Sequence, residues 1–154
     1  CSPTPWAYYG VTTQLRIKNW DLGLNGHGSI GAELINKNRM GYTTSYSDAY
    51  TKGYINNLSA DFLIPGWHAS HSENQKYSDL FIEDASFFKI DDINLGYTFN
   101  FKNDTKLRLA ASVQNVCTFT KYSGLDPEID NISGVDTTIY PRPRLYTFRL
   151  NFTF

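Results

Sequence analysis

The sequence predicts an all-β chain whose strands form part of a transmembrane antiparallel β-barrel. Three observations support this prediction. Apolar and polar residues alternate one by one over five stretches of the chain, which is the pattern of β-strands. The 154 residues include 11 Tyr, 10 Phe and 3 Trp, and aromatic residues favour strands over helices. Short polar joints and long loops connect the five stretches, as they do in outer-membrane barrels.

The limits of the five predicted strands follow from the alternation. The strands cover approximately residues 8–18, 20–35, 87–100, 106–120 and 144–154. All five are longer than the mode of about 5–6 residues in globular proteins. The alternation changes phase at Asp91-Asp92, which predicts a β-bulge in the third strand.

The last predicted strand alternates without a break. Its apolar residues are Tyr146, Phe148, Leu150, Phe152 and Phe154, and they are interleaved with Thr147, Arg149, Asn151 and Thr153. In a membrane barrel the apolar side chains face lipid and the polar ones face the lumen. We therefore expect this strand to present its five apolar residues to the membrane.

The connections between the predicted strands differ greatly in length. The joints at Lys18-Asn19 and 101–105 are short and polar, whereas the segments 36–86 and 121–143 are long. The long segments are rich in Tyr, Gly, Asn, Ser and Asp and show no helical periodicity. We expect both of them to be loops.

Alternation alone also fits a soluble β-sandwich, whose apolar face is buried in a core. Aromatic residues near strand ends favour the barrel, because barrels carry aromatic girdles at both interfaces. These residues are Tyr8, Tyr9, Trp20, Phe99, Phe119, Tyr146 and Phe154. Five strands cannot close a barrel, and an open sheet would leave backbone groups unpaired in lipid. The barrel therefore requires further strands, and a soluble, secreted β-sandwich that binds carbohydrate is the alternative.

Composition excludes several other classes of protein. The formal net charge of -1 gives no reason to expect a nucleic-acid partner, which usually requires a basic patch. No run of apolar residues is long enough for a transmembrane helix.

The first ten residues lack the features of a signal peptide, so we expect an export signal either to have been removed or to lie upstream. Cys1 and Cys117 are too few for a disulfide framework.

Three motifs suggest cofactor or metal chemistry, and each has a simpler interpretation. The glycines of 26–31 match G-x-G-x-x-G, but the alternation runs through them, and a dinucleotide site needs a loop that opens a helix. His68 and His71, with Asp61 and Glu73, lack the ordered spacing of a zinc site. The acidic residues Asp126, Glu128, Asp130 and Asp136 lack EF-hand spacing for calcium, and Asp126-Pro127 is also typical of a turn. We expect no cofactor, no metal site and no catalytic site.

Four long segments carry a resemblance to a known family: SDLFIEDASFFKIDDINLGYTF (78–99), LRLAASVQNVCTFTKYSGLDPEI (107–129), YPRPRLYTFRLNFTF (140–154) and SPTPWAYYGVTTQLRIKNWDLGLNGHGSIG (2–31). Together they resemble the SusC/RagA family of TonB-dependent outer-membrane transporters. The first resembles the stretch that leads into a late barrel strand, and the second resembles the penultimate strand and its loop. The third resembles the last strand, and the fourth is similar to an earlier hairpin. Cys117 departs from the family pattern, which more often has a bulky apolar residue after Gln-Asn.

The resemblance implies that the whole chain, 1–154, is the C-terminal part of a receptor barrel. Such barrels have about 22 strands around an N-terminal plug, and this chain would supply about the last five of them. Phe154 would lie at the periplasmic rim and act as a C-terminal signal for barrel assembly. The segments 36–86 and 121–143 would then be extracellular loops.

The function that the resemblance implies is import of glycans or peptides across the bacterial outer membrane, without enzymatic activity. The implied partners are the upstream barrel and plug, a SusD-like surface lipoprotein that acts as a lid, TonB through upstream segments, and outer-membrane lipid. Two such transporter–lipoprotein pairs would form a dimer.

Two sets of residues are candidates for contact within such a transporter. The aromatic-rich outer loop would contact ligand or lid, or would pack on itself; its candidates are Tyr42, Tyr46, Tyr50, Tyr54, Trp67 and His68. Aromatic rings supply large, rigid contact areas at interfaces. The inward polar residues would contact the plug or would be hydrated wall residues, and they are Arg16, Lys18, Arg108, Gln114 and Arg149.

Overall fold

The structure is a computed structural model that describes residues 2–44, 60–63, 78–102, 104–129, 133–137 and 140–154. In chain order the elements are β1 (Ala7–Ile17), β2 (Trp20–Ile30), β3 (Glu33–Asn36), α1 (Lys37–Thr44), 3₁₀ turns at Ala60–Leu63 and Asp79–Phe81, β4 (Ile82–Asp84), β5 (Phe87–Asn100), β6 (Lys106–Thr120), β7 (Val135–Asp136) and β8 (Leu145–Thr153). Within these described ranges, no helix is both long enough and apolar enough to cross a membrane.

The chain divides into two compact units. The sheet unit consists of Trp6–Ile30, Ser86–Thr120 and Pro141–Phe154. The loop unit consists of Cys1–Pro5, Gly31–Ala85 and Lys121–Tyr140. The five long strands belong to the sheet unit, and the short strands and the helix belong to the loop unit.

The sheet unit is one five-stranded antiparallel sheet with the strand order β1-β2-β5-β6-β8. Cross-strand partners share a face of a sheet, so the register separates the side chains into an apolar and a polar face. One row of the apolar face consists of Leu15, Leu22, Leu95, Ala111 and Phe148. Phe148 is 84% exposed and Leu150 67%. The apolar face of β8 is thus an outer surface of the sheet.

The predicted β-bulge at Asp91-Asp92 is confirmed. Ile90 and Asp92 pair with Cys117 and Gln114, so one residue of β5 lies opposite two residues of β6. One of those two is Asn115, which has a φ of 53°, and Asn tolerates this left-handed conformation better than most residues. The bulge keeps the apolar residues on both sides of it on one face, although the sequence alternation changes phase.

Two glycines of β2 leave room for aromatic rings on the apolar face. The Tyr9 ring lies over Gly28, and its hydroxyl donates to the carbonyl oxygen of Phe87 at 3.2 Å. The Phe88 ring lies over Gly26 and stacks with Tyr9 at a centroid distance of 5.9 Å. The G-x-G spacing therefore serves packing within a strand, as the alternation predicts.

The loop unit has a small core and a second sheet. Strand β3 pairs with β4 in antiparallel and with β7 in parallel orientation. The core is formed by the buried side chains of Ala32, Leu34, Ala85 and Tyr122. The Tyr122 hydroxyl donates to Asp136 Oδ2 at 2.6 Å, and Asp136 is buried. Burial and the neighbouring Asp136 carboxylate raise the pKa of Tyr122, so its hydroxyl keeps the proton that it donates.

Replacing Tyr122 with phenylalanine should destabilise the loop unit by about 1.5–3 kcal/mol, because a hydrogen bond to a buried charged group is lost. Hydrogen–deuterium exchange of β7 and β3 in the full-length protein measures this change. Tyr140→Phe is the matched control, since Tyr140 belongs to the same unit and is 88% exposed. Equal protection of β7 in the two variants would contradict the expectation.

Two sequence-based predictions about this region are wrong. The predicted strand 20–35 ends at Ile30, and β3 is a separate strand. Gly31 has a φ of 84°, a conformation that breaks the strand and that glycine adopts readily. The absence of helical periodicity predicts a loop over 36–86, yet this segment contains α1. The Asn36 side chain accepts a hydrogen bond from the Arg39 backbone N–H at 3.0 Å and so caps the helix N-terminus.

Candidate functional site on the polar face of the sheet

One row of residues crosses the polar face of the sheet from edge to edge. Arg16 pairs with Asp21, Asp21 with Gly96, Gly96 with Ala110, and Ala110 with Arg149. Small residues therefore lie in the middle of the row, and an arginine lies on each outer strand. Arg16, Ala110 and Arg149 of this row line a depression in the polar face, which we call the arginine cleft.

The arginine cleft has a volume of about 290 Å³. Its charged lining residues are Arg16, Asp21, Arg108 and Arg149, and its neutral polar lining residues are Gln14, Asn94, Ser112 and Thr147. The four neutral polar residues and Gly23, which also lines the cleft, form the next row of the register. In this row Gln14 pairs with Gly23, Gly23 with Asn94, Asn94 with Ser112, and Ser112 with Thr147. Leu15, Leu22, Ala110 and Ala111 complete the lining, which is therefore mixed polar and apolar and carries more positive than negative charge.

The carboxylate of Asp21 is bonded to Arg108. Arg108 Nη2 donates to Asp21 Oδ2 at 2.6 Å, and Nε donates to Oδ1 at 3.2 Å. Bidentate pairs of this kind fix the geometry of both groups. The pair passes over Gly96, where a Cβ atom would lie 2.5 Å from Asp21 Oδ1 and 2.8 Å from Arg108 Nη2. Gly96 therefore makes room for an ion pair that links β2 to β6 across β5.

Two arginines of the cleft lie outside the Asp21–Arg108 ion pair. Among the residues that the structure describes, Asp21 provides the one carboxylate that lines the cleft, and Arg108 occupies both of its oxygens. Within the same part of the chain, neither Arg16 nor Arg149 forms an ion pair, and both are exposed. The cleft can therefore accept an anionic group.

A second polar group lies on the sheet at the bulge. His27 Nδ1 and Asp91 Oδ2 are 2.7 Å apart. Asp92 accepts hydrogen bonds from Asn25 and Asn94, each at 2.5 Å. These carboxylates bond to residues of β2 and β5 around the bulge, so they stabilise the local strand geometry.

The structure brings together three of the five polar residues singled out in the sequence. Arg16, Arg108 and Arg149 line the arginine cleft. Lys18 lines a neighbouring depression, and Gln114 pairs with Leu145 at the start of β8. Sequence analysis missed the roles of Asp21 and Gly96, although both follow the polar phase of their strands.

The aromatic loop candidates fall largely outside the described residues. Tyr46, Tyr50, Tyr54, Trp67 and His68 lie there, and Tyr42 belongs to α1, without a described side chain. They remain predictions. Of the residues considered for metal binding, His68, His71, Glu73 and Asp130 also lie outside the described residues.

The described metal candidates have other partners. Asp61 pairs with Arg39, Asp136 accepts from Tyr122, and Asp126 Oδ1 accepts from the backbone N–H of Glu128 at 2.9 Å. The last contact closes the turn predicted at Asp126-Pro127. Within the described ranges, no three His, Cys, Asp or Glu residues are grouped so that they could hold a metal ion.

A network of charged groups orders the loop unit. Arg39 Nε lies 2.5 Å from Asp61 Oδ2, and Arg39 Nη1 lies 3.1 Å from Glu83 Oε1. The other oxygen of Glu83 accepts from the backbone N–H of Ser123 at 2.8 Å. Arg39 thus connects α1 to the 3₁₀ turn at Ala60–Leu63 and to β4.

Comparison with proteins of known sequence identifies two similar receptors. The chain is 32% identical over 156 residues to the TonB-dependent receptor SusC of Bacteroides thetaiotaomicron, with 94% of this chain covered. It is 30% identical over 172 residues to a TonB-dependent receptor of Formosa agariphila, with 99% of this chain covered. The chain spans 15% and 17% of the lengths of these relatives. No protein-family model matches the chain.

Solved structures match the fold over almost the whole chain. The RagAB peptide importer in its closed-closed state gives a TM-score of 0.71 at 23% identity, covering 99% of this chain and 18% of that chain. Its open-open state gives a TM-score of 0.70 at 20% identity, with the same coverage.

The long antiparallel strands, with one apolar and one polar face, define a segment of a transmembrane β-barrel wall. The chain belongs to the SusC/RagA family of TonB-dependent receptors and corresponds to a C-terminal portion of such a receptor. The names of these relatives are those of receptors and importers, and none is that of an enzyme.

Proposed function

We propose that this chain forms part of the barrel of an outer-membrane transporter that imports glycans or peptides. The relatives are TonB-dependent receptors, and one matching structure is a peptide importer. The observation that carries the proposal is the division of the sheet into an exposed apolar face and a polar face that contains the arginine cleft. A barrel wall needs this division, since one face meets lipid and the other meets water.

The proposed orientation follows from the two faces and from the loops. The apolar face would contact lipid, and the arginine cleft would open into the lumen. The segments 36–86 and 121–143 would lie outside the cell, where their aromatic residues Tyr42, Tyr46, Tyr50, Tyr54, Trp67 and His68 would contact ligand or a SusD-like lipoprotein. The upstream barrel, the plug and TonB would complete the transporter, and pairs of transporter and lipoprotein would form a dimer.

A pair of single cysteines tests the proposed orientation. In the full-length protein with Cys1 and Cys117 replaced by alanine, Leu150→Cys should be shielded by lipid and Thr147→Cys should react with a hydrophilic maleimide. Both residues are on β8, and Leu150 lies on the apolar face whereas Thr147 lies on the polar face. The opposite pattern, or equal reaction of both cysteines in outer-membrane vesicles, would contradict a barrel wall in this orientation.

Uptake by cells tests the transport activity. A strain that lacks the receptor gene should lose uptake of one of two labelled pools, either oligopeptides or oligosaccharides. A plasmid that carries the gene should restore this uptake. Loss of the peptide pool alone would identify a peptide importer, and loss of the oligosaccharide pool alone would identify a glycan importer. Unchanged uptake of both pools would contradict the proposed function.

We also propose that Phe154 acts as a barrel assembly signal. Its side chain is 98% exposed and lies 6.0 Å from the Phe152 ring, centroid to centroid, so it has little role in packing the sheet. Phe154→Ala should lower the amount of folded receptor in the outer membrane, and Phe154→Tyr should retain it. Equal amounts of folded receptor in the two variants would refute this role.

A further inference from the structure

We propose that a groove on the apolar face of the sheet binds one acyl chain of an anionic phospholipid in the periplasmic leaflet of the outer membrane. This inference goes beyond transport, because the site selects a membrane lipid and not a cargo. It uses the proposed orientation, in which the apolar face meets lipid and the joints at Lys18-Asn19 and 101–105 lie at the periplasmic end of the sheet.

The groove follows β6, between ridges formed by β5 and β8. It spans two rows of the register, Leu95–Ala111–Phe148 and Tyr97–Leu109–Leu150. With Trp20 these side chains line a depression of about 420 Å³, and the intervening residues of the same strands complete its lining. The depression exists because Ala111 is the small residue in a row of larger ones. A site that runs along a strand between two apolar ridges suits a single hydrocarbon chain.

The groove stays open in the complete receptor. Trp20, Leu95 and Leu109 are 52%, 45% and 42% exposed. They belong to the inner strands β2, β5 and β6, so their exposure does not arise at an edge of the sheet. A further strand next to β8 would pair through its backbone and lie beside this face, and the plug would lie in the lumen, on the opposite face. Large exposed apolar patches of this kind mark binding sites.

The groove lies at the depth of the hydrocarbon of one leaflet. Ala111 is five residues from Lys106, where β6 begins, which is about 17 Å along the strand. A strand tilt of about 45° reduces this distance to a depth of about 12 Å. The hydrocarbon core is about 30 Å thick, so the acyl chains of one leaflet reach about 15 Å. A chain that enters from the periplasmic side therefore reaches Ala111.

Positive charge lies at the end where the groove opens. Lys18 is in the joint between β1 and β2, Lys102 is in the joint between β5 and β6, and Lys106 begins β6. All three are exposed, and Asp104 is the one carboxylate side chain among the described residues of these joints. Within the part of the chain that the structure describes, the three lysines form no ion pair. This end of the sheet therefore attracts an anionic head group.

Two aromatic residues lie on the periplasmic side of Ala111. The rings of Trp20 and Tyr97 meet edge to face, with their centroids 4.7 Å apart. Trp and Tyr are enriched at membrane interfaces, because each has an apolar ring and a polar group that hydrogen-bonds. Apolar groove, amphipathic rings and lysines thus follow one another in the order of a phospholipid: acyl chain, interfacial region and head group.

Lipid binding to the purified full-length receptor tests this proposal. The probes are phosphatidylglycerol and phosphatidylcholine with the same palmitoyl and oleoyl chains, and native mass spectrometry measures their dissociation constants. Ala111→Leu fills the groove, and Val113→Leu is its matched control, because Val113 lies in the next row of the same strand and face, outside the groove.

A second pair of variants tests the head group. The double variant Lys18→Gln/Lys102→Gln removes both lysines of the joints. Lys121→Gln is the matched control, since Lys121 is an exposed lysine just beyond the other end of β6. Ala111→Val makes the same test as Ala111→Leu with less added bulk, if the leucine variant gives little folded receptor.

We expect one molecule of phosphatidylglycerol to bind at least tenfold more tightly than phosphatidylcholine. The double lysine variant should weaken phosphatidylglycerol about 25-fold, because each lysine near an anionic lipid contributes a factor of about five, and should leave phosphatidylcholine unchanged. Ala111→Leu should weaken both lipids about tenfold, which corresponds to about two displaced CH₂ groups. Val113→Leu and Lys121→Gln should change neither affinity.

Three outcomes would overturn the proposal. These are equal affinities for the two lipids, affinities that Ala111→Leu and Ala111→Val leave unchanged, and an effect of Lys121→Gln as large as that of the double variant. Loss of receptor dimers in Ala111→Leu with unchanged lipid affinity would identify a second copy of the receptor as the occupant, and this too would overturn it. Uptake and cysteine labelling test transport and orientation separately, so a receptor that passes both and shows no lipid preference overturns this inference alone.

Discussion

Replacing Gly28 with alanine is expected to destabilise the folded barrel by about 3 kcal/mol, at the upper end of the range for overpacked sites. A Cβ atom at this position would lie 2.5 Å from Cζ and Oη of Tyr9, and it would also collide with the carbonyl oxygen of Phe87. The Tyr9 ring could turn away only by losing its hydrogen bond to the Phe87 carbonyl oxygen. That carbonyl group could move only by disturbing the ladder between β2 and β5, to which it belongs. Urea unfolding of the receptor in liposomes measures the change.

The control for this substitution is Gly10→Ala in the neighbouring strand. A Cβ atom at Gly10 would lie 3.8 Å from its nearest neighbour, the carbonyl oxygen of Gly26, which is an ordinary contact. We expect Gly10→Ala to change the free energy of unfolding by less than about 1 kcal/mol, because the added methyl group meets no clash and the unfolded chain loses some conformational freedom. Equal free energies of unfolding in the two alanine variants would show that the Tyr9 ring does not need the space that Gly28 leaves.

Replacing Arg39 with alanine is expected to destabilise the loop unit by about 2–3 kcal/mol, because two charge-assisted hydrogen bonds are lost. The Glu83 side chain is 12% exposed and the Asp61 side chain 23%, so water replaces the guanidinium only in part. The loss should make amide exchange in β3 and β4 about thirtyfold faster or more. Hydrogen–deuterium exchange of the full-length receptor measures this effect.

Two further variants separate the charge of Arg39 from its geometry. Arg39→Lys keeps the charge, but a single ammonium group lacks the planar fork that reaches both Asp61 and Glu83, so we expect about half of the effect. Lys37→Ala removes an exposed cation from the same helix and should have no measurable effect. If Lys37→Ala and Arg39→Ala accelerate exchange equally, the network does not hold the loop unit together.

The same network makes the loop unit sensitive to acid. Burial raises the pKa of Glu83, but hydrogen bonds from Ser123 and Arg39 outweigh it and place the pKa below its ordinary value of 4.5. A carboxylate with a lowered pKa in the folded state stabilises the protein above its ordinary pKa, and this contribution falls as pH decreases through the folded value. The protection factors of β4, which compare exchange with the intrinsic rate at each pH, should therefore fall below pH 4.5. Glu83→Gln should be less stable at neutral pH and lose this dependence.

The faces of the sheet could be predicted from the sequence, because alternation with a period of two determines which side chains share a face. The same pattern predicted the bulge, since the phase of β5 changes at Asp91-Asp92. It could not predict the end of β2. Ile30, Ala32 and Leu34 keep the phase of the strand, and the break depends on the backbone conformation of Gly31, which alternation does not report.

The helix and the cleft could not be predicted, because both depend on distant residues. Helix α1 has eight residues, which is too short to be stable by itself, and its Arg39 is held by Asp61 and Glu83. The cleft depends on which residues of five strands share one row. A change of register by one residue would move every side chain of a strand to the other face, so the row follows from pairing that sequence patterns do not determine.

The bulge also has a consequence for how the length of this wall can change. Removing Asp91 from β5 together with Asn115 and Val116 from β6 would leave a continuous ladder, since the flanking pairs Ile90–Cys117 and Asp92–Gln114 would become successive. Every other pair in both strands would stay as it is. The same deletion would remove the bond from Asn115 Nδ2 to the Arg142 carbonyl oxygen, just before β8 begins. A change of length that keeps both ladders in register must therefore be matched across neighbouring strands, and the residues of the bulge form one such matched set, next to the entry to the final strand.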